Sequence, residues 1–538
     1  MFNKKRRISL LFRKINIFKF STILCFAVFI IFVSTVVQAN FIIKNDIEII
    51  NNSVSGPGSD NSIFSEGVSY NGKINLTKRE KLDKYDFLFN MDINTREDTN
   101  FNQELTLSRL RARFKSQENG SVINIGDTFE FFDQYVLNSS LKGLSYKQKI
   151  NDINSISLVY GYNYSAWKDI LSDNQELIER KSWGVNYKNN SSEIIKWGFS
   201  LLNTNDQGNV DTDEIFYDNN VYGLNWEYIP MAGLTVKGSS AYGDTEESSG
   251  SSYSGAAHKL KIFSSAREGK ASIDYERVEP DFKTLLGSAT SDKEKYKFSL
   301  LYRYSKKINY NFDYIYFHDN LAGQKEDTSY NYKPGVGVSI KRLFNRRYAS
   351  ANIKYNYKGK TKADKEDKND IYSINYRDRF KLIDVNMNLN YTKGELKDNN
   401  DFNGENELSY NLSLATRKRM ENYILRPVLR FGYFNSNDED EGSNNTNFEK
   451  SLEMGLNIPD KKISSNLKFG EKEALNDNAE DNNKFFVTLN FNIRPVFLEK
   501  YKQGRLYLKF RYNDLQYSES EDKNFTENSL TIGANFGF

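Results

Sequence analysis

NSLTIGANFGF, residues 528–538, is the stretch on which the reading of the fold turns. Leu530, Ile532, Ala534, Phe536 and Phe538 alternate with Thr531, Gly533, Asn535 and Gly537. A period of two places one set of side chains on a single face of a β-strand. This strand runs to an aromatic ring at the last residue. Chain ends fray unless something holds them, so an apolar strand here needs a pairing partner and an apolar surround.

The same period recurs along the chain. Tyr85, Phe87, Phe89, Met91 and Ile93 form one stripe, and Ile156, Leu158, Tyr160, Tyr162 and Tyr164 another. Tyr296 to Tyr304 and Ile308 to Tyr316 follow each other closely, and Ile383 to Tyr391 and Leu408 to Leu414 repeat the pattern. A helix would scatter these residues round its circumference, so the period is that of strands. Short connections, such as 305–307, 341–347, 417–422 and 459–462, alternate with long ones, such as 203–220, 278–295, 434–447, 470–484 and 514–527. The short ones are rich in Lys and Arg, whereas two of the long ones carry NSNDEDEGSNN and GEKEALNDNAEDNN.

Hydrophobic content of 38% and a mean hydropathy of −0.68 point away from a large buried core. Aromatic content of 14% and only 7 prolines point away from disorder. A wide membrane barrel reconciles the two, because only its lipid-facing half must be apolar. The net charge of +3 gives no reason to expect a nucleic-acid partner.

The closing strand resembles that of bacterial outer-membrane β-barrels, in which a terminal strand, typically ending in Phe, is read by the assembly machinery and seals the wall. The resemblance implies that Phe536 and Phe538 form the assembly signal and that outer-membrane lipid and that machinery are partners. The segment YERVEPDFKTLLGSATSDKEKYKF, from Tyr275, is also similar to stretches of other outer-membrane barrels. At the other end, residues 1–39 resemble a secretory signal peptide. Lys4, Lys5, Arg6, Arg7, Arg13, Lys14 and Lys19 precede the run from Ser21 to Val37, and cleavage is expected after Ala39. The one cysteine, Cys25, lies in this segment, so the mature chain has no thiol.

Strand parity supplies one more element. About 25 strands are readable from Val68 to Phe538, and a chain entering from the periplasm needs one further ascending strand. Phe41–Ile50, FIIKNDIEII, fits that place. The expected fold is therefore all-β, a single antiparallel transmembrane barrel of about 26 strands (24–26) over residues 40–538, with short periplasmic turns and long extracellular loops. Strands about 4.8 Å apart and tilted about 40° give a diameter of roughly 50 Å. A hole that wide calls for loops folded inward, a flattened wall, or a plug or partner protein in the lumen. Pro334 and Pro427 fall within strand patterns, where a bulge or strand end is expected.

In SRLRARF, Arg109, Arg111 and Arg113 share one face. Facing lipid near the midplane would cost about 2–4 kcal/mol each, so they are expected to line the lumen. Lys297, Arg303, Lys333, Lys354, Arg377, Arg379, Arg426, Arg430, Arg494, Lys509 and Arg511 follow the same logic, against the inward acids Asp86, Asp92, Glu227, Asp313, Asp384 and Glu453. Excess positive charge in a pore concentrates anions. His258 and His318 lie three strands apart with no serine or acid spaced to form a dyad. No catalytic constellation, metal set or cofactor fingerprint is read. The expected function is a porin-like channel or transporter for polar solutes in the outer membrane of a Gram-negative-type envelope. The alternatives are a barrel that houses a partner or exports surface material without free conduction, and a barrel-anchored adhesin.

Deleting Phe538, or replacing it with a charged residue, is expected to leave unfolded chain in the periplasm. The check is the yield of heat-modifiable barrel, and an unchanged yield refutes the assignment.

Overall fold

The computed structural model describes residues 41–97, 106–164, 167, 178–207, 215–398, 401–439, 442–477, 480–499 and 501–537. The expected signal peptide and Phe538 lie outside these. Twenty-six long strands and a two-residue rung, Lys418–Arg419, form one antiparallel sheet that closes on itself. Each strand pairs with its neighbours in sequence, and the first, Phe41–Ser55, pairs with the last, Phe525–Gly537. The parity argument and the strand it placed at Phe41–Ile50 both hold.

The strands are longer than a bilayer requires. About 9–11 tilted residues span the hydrocarbon, yet Lys365–Phe380, Ile383–Asp398 and Ser443–Ile458 have 16 each. Part of the expected loop length is therefore ladder: the connection read as 434–447 shrinks to 439–442, with Asp438 paired to Ser443. Pro334 does not make a bulge. Its strand, Ser329–Lys341, keeps one register with Ser350–Lys362 on both sides of it, and only the rungs at Lys333 and Pro334 are missing. Pro427 sits where pairing with Asp401–Thr416 stops, at Val428–Ala415, which is the strand end expected for it on that side.

The two faces of the wall differ as alternation requires. Leu158, Tyr160, Trp183, Phe199, Tyr222, Leu224 and Tyr242 are exposed on the outside, while Ser157, Ser182, Ser200 and Thr245 are buried on the inside. Trp197 and Trp226 are cross-strand partners close to the strand ends, on the outer face where an indole suits the membrane interface. Trp167 donates its N–H to Asp127 at 2.7 Å, and the Lys142 ammonium, itself bonded to Asp127 at 3.0 Å, lies 5.5 Å from its ring. Tyr275, Tyr296 and Tyr316 continue an aromatic row across neighbouring strands, with ring centroids 5.1 and 6.2 Å apart.

The seam has a side-chain lock. Tyr507, on Lys502–Tyr517, faces inward and is paired with Gly533 of the last strand, which is paired in turn with Glu48 of the first. Its ring crosses Gly533, and its hydroxyl reaches Asp46 at 2.7 Å and Glu48 at 2.8 Å. Lys509 adds a bond to Glu48 at 2.9 Å. A Cβ on Gly533 would stand 2.3 Å from the Tyr507 ring, so only glycine lets the ring pass.

Tyr507→Phe is expected to lower the temperature at which the barrel loses its folded gel mobility, since a hydrogen bond to a charged group contributes roughly 1.5–3 kcal/mol. Gly533→Val is expected to lower it further, because it displaces the ring as well. Equal transition temperatures in all three proteins would dismiss the lock.

Candidate functional site in the lumen

Two connections turn into the barrel rather than away from it. Residues 132–137 join Val122–Phe131 to Asn138–Lys149, and residues 279–292 join Gly269–Val278 to Lys293–Arg303. Phe132, Tyr135, Val136 and Leu137 of the first, with Phe282 and Leu286 of the second, are buried against inward Val159, Leu202, Val221, Ala241 and Ala257. This is the main buried apolar cluster among the described residues, and it lies inside the wall. Tyr135 and Phe282 meet edge-on at 6.0 Å.

Small inner-wall residues make room for this layer. A Cβ on Gly255 would meet the Phe282 backbone nitrogen at 2.5 Å. Backbone bonds then tie the loops to each other, with Asn138 N–H donating to the Leu286 carbonyl at 2.9 Å and Ser288 N–H to that of Gln134 at 2.7 Å. Side chains tie them to the wall. Ser239 donates to Asp133 at 2.8 Å, Tyr135 to Glu276 at 2.9 Å, and Lys283 to Glu247 at 2.8 Å. Asn219 donates to the Lys283 carbonyl at 3.1 Å and accepts from Leu285 N–H at 3.4 Å.

Nearer the end where residues 41 and 537 lie, the wall is charged. Cross-strand pairing sets Lys196 beside Glu227, Glu227 beside Lys237, Lys237 beside Lys261, Lys261 beside Asp274 and Asp274 beside Lys297. Ile315 separates Lys297 from Lys333 on the same rung. At about 4.8 Å per strand, this rung runs roughly 34 Å round the wall with five lysines and two acids. Glu227 is shared by Lys196 (3.4 Å) and Lys237 (2.7 Å), and Asp274 holds Lys261 (3.2 Å). One step along the strands, Lys259 and Lys295 flank Glu276.

The arginines read from the sequence are distributed more widely. Arg111 and Arg113 alternate with Ala112 and Phe114; Arg111 donates to Asn124 at 2.9 Å, and the buried Nε of each has no hydrogen-bond partner. Arg109 lies 3.7 Å from Asp92, which also accepts from Asn75. Asp86 accepts from Gln117 at 2.9 Å, Arg379 pairs with Asp384, Arg430 with Glu453, and Arg377 donates to Asn386 at 3.2 Å. Lys333 lies 5.4 Å from the Phe317 ring, and Arg511 5.8 Å from that of Phe64. Lys354, opposite Gly337, Arg426, opposite Gly455, Arg303, opposite Asn309, and Asp313, opposite Gly335, occupy inward rungs of their strands. Arg494 lies beyond its strand and binds the carbonyls of Glu499 and Tyr501, so it braces a turn. Phe536 sits on the last strand, opposite Asn45 of the first.

Lys188, Lys196, Lys237, Lys259, Lys261 and Lys295 were not singled out from the sequence. Lys188, Lys196 and Lys237 stand singly in their stripes, Lys259 shares one with Lys261 and Lys295 one with Lys297, and register brings the strands' lysines side by side. The inward loops had left a legible signal: VEPDFKTLLGS is too apolar for a segment surrounded by water. His258 and His318 point outward, to Ser240 at 3.0 Å and Glu294 at 3.1 Å.

No family model and no curated sequence matches the chain. Among solved structures, an Escherichia coli P pilus tip assembly intermediate, PapC-PapD-PapK-PapG, is similar at TM-score 0.50 and 11% identity, over 92% of this chain and 60% of that one. This chain thus spans under two thirds of that length. The P pilus usher (PapC) translocation pore is similar at 0.38 and 11% identity, over 92% and 99% of the two chains. The outer membrane transporter YddB from Escherichia coli is similar at 0.44 and 10% identity, over 93% and 81%.

Phe282→Ala is expected to cost the loop layer about 3–5 kcal/mol and to free it while the barrel stays closed. Hydrogen exchange at the amides of Asn138 and Ser288 would then accelerate with gel mobility unchanged. Unaltered protection there would show that the layer does not depend on this ring. A closed antiparallel wall with an apolar outer face, a polar lumen and this structural likeness identify the fold as that of the bacterial outer-membrane β-barrels.

Proposed function

We propose that the protein is a porin-like channel or transporter for polar solutes across a bacterial outer membrane, and that its lumen prefers anions. The observation that supports this most is the inner rung on which Lys196, Lys237, Lys261, Lys297 and Lys333 stand against Glu227 and Asp274. Wall charges act at short range, where bulk salt screens them incompletely. Arg109, Arg111, Arg113, Lys297, Arg303, Arg377, Arg379, Arg426, Arg430, Lys509 and Arg511 are the proposed pore-lining cations. Several are matched by acids, as at Arg430–Glu453 and Lys509–Glu48, so selectivity rests on the surplus. Catalysis is no part of this reading.

A second reading is favoured by the inward loops: a barrel whose lumen is occupied, by its own loops and by a partner protein, with no free conduction. In both readings the mature chain reaches the outer membrane after removal of residues 1–39, with Phe536 and Phe538 recognised during assembly.

The purified chain in a planar bilayer is expected to conduct, with a zero-current potential in a salt gradient on the anion side, most clearly at low ionic strength. Replacing Arg109, Arg111 and Arg113 together with Gln should move that potential toward cations. Absence of current refutes the channel and promotes the occupied barrel. Current with unchanged selectivity in the triple variant removes those arginines from the filter.

A further inference from the structure

We infer that a cavity between the tip of the first inward loop and the charged rung binds a small polyanion, a solute bearing two or more phosphate or carboxylate charges. The cavity measures about 490 Å³, and five lysines line it, Lys188, Lys196, Lys237, Lys259 and Lys261, against only two carboxylates, Asp133 and Glu227. Volumes of 300–1,000 Å³ are those of small-molecule sites.

The partners of these groups show where charge is left over. Asp133 accepts from the Ser239 hydroxyl at 2.8 and 2.9 Å and from Tyr135 N–H at 3.0 Å and makes no direct ion pair, and its charge acts on Lys188 from a distance. Glu227 is one carboxylate serving two ammonium groups. Lys261 is matched by Asp274. Lys259 donates to the neutral side-chain carbonyl of Gln134 at 2.7 Å, and Lys188 makes no ion pair among the described residues. Lys188 and Lys259 make no contact ion pair, Lys259 standing beside a Glu276 that it shares with Lys295, and the five lysines of the cavity exceed Asp133, Glu227 and Asp274 by two charges in a partly enclosed space. Such groups favour an anion that supplies the missing charge. A monoanion would leave half of that surplus unmet, whereas two negative charges match it. Lysines also suit this, since each ammonium is a point charge on a flexible stem that adapts to differently shaped anions.

This deepens the channel reading, on which it rests for the route by which the solute arrives. The test uses the full mature chain in mild detergent at low ionic strength, titrated calorimetrically with pyrophosphate, citrate and glucose. Saturable binding of pyrophosphate, citrate or both, weakened by added salt and absent for glucose, is expected, and the difference between the two anions separates phosphate from carboxylate recognition. The double variant Lys188→Gln/Lys259→Gln should bind at least tenfold more weakly, while Lys358→Gln, outside the cavity, should match the unmodified chain. Folded gel mobility is checked for each, and Lys259→Gln alone, expected to weaken binding severalfold, stands in if the double variant does not fold. Binding that survives these substitutions, or no saturable binding of either anion, overturns the site. Bilayer recordings on the same preparation keep the two readings apart: binding without current supports the site and removes the channel, and current without binding removes the site alone.

Discussion

Hydrocarbon offers no partner for a backbone N–H or C=O, so each such group within the membrane must be satisfied inside the protein. For a chain made of strands this means that the last must find the first. Phe525–Gly537 pairs along Phe41–Ser55 from Lys44 to Ser55, and that ladder removes the two free edges a sheet would otherwise expose. The even number of strands, their alternating direction and the sidedness of the turns follow from this closure. The bonds from Tyr507 to Asp46 and Glu48 across Gly533 place a side-chain tie where the two ends of the described sheet pair with each other.

Closure also explains where the buried apolar residues are. A soluble domain gathers its apolar side chains at a centre, but here alternation sends them outward to lipid and leaves small or polar groups facing in. A lumen so wide has unfilled space, and the segments 132–137 and 279–292 occupy part of it with Tyr135, Phe282 and Leu286. The charged rung and the cavity beside it belong to what remains. The layer and the rung thus divide one arc of the inner wall between a dry portion and a wet one.

Much of this was legible in the sequence. The strand stripes and the parity argument that assigned Phe41–Ile50 to the wall both depend on local alternation, which a single sequence displays. The rung from Lys196 to Lys333 could not be read in that way. Its members are separated by up to 137 positions, and only the register of seven successive pairings aligns them. Loop lengths were overestimated because strands that continue past the membrane lose their apolar face: in FNSNDEDEGSNNTN nothing distinguishes a water-exposed ladder from a loop. Pro334 was expected to disturb its strand more than it does, since a missing rung on one side is enough to accommodate its lack of an N–H.

The inward layer has a mechanical consequence. Its two loops spring from strand pairs nine strands apart at their outer limits, Val122–Phe131 and Lys293–Arg303, and they are bonded to each other and to strands between. They act as a chord beneath an arc. Bending that arc requires breaking contacts that span several strands, whereas the arc carrying Ser350–Lys362, Lys365–Phe380 and Ile383–Asp398 is held, among the described residues, by pairing between neighbours and by rim contacts such as Arg346 with Asp378 at 3.1 Å. The cylinder is therefore not uniform in compliance: it has a braced side and a pliant side, and any change of its cross-section is taken up on the pliant one.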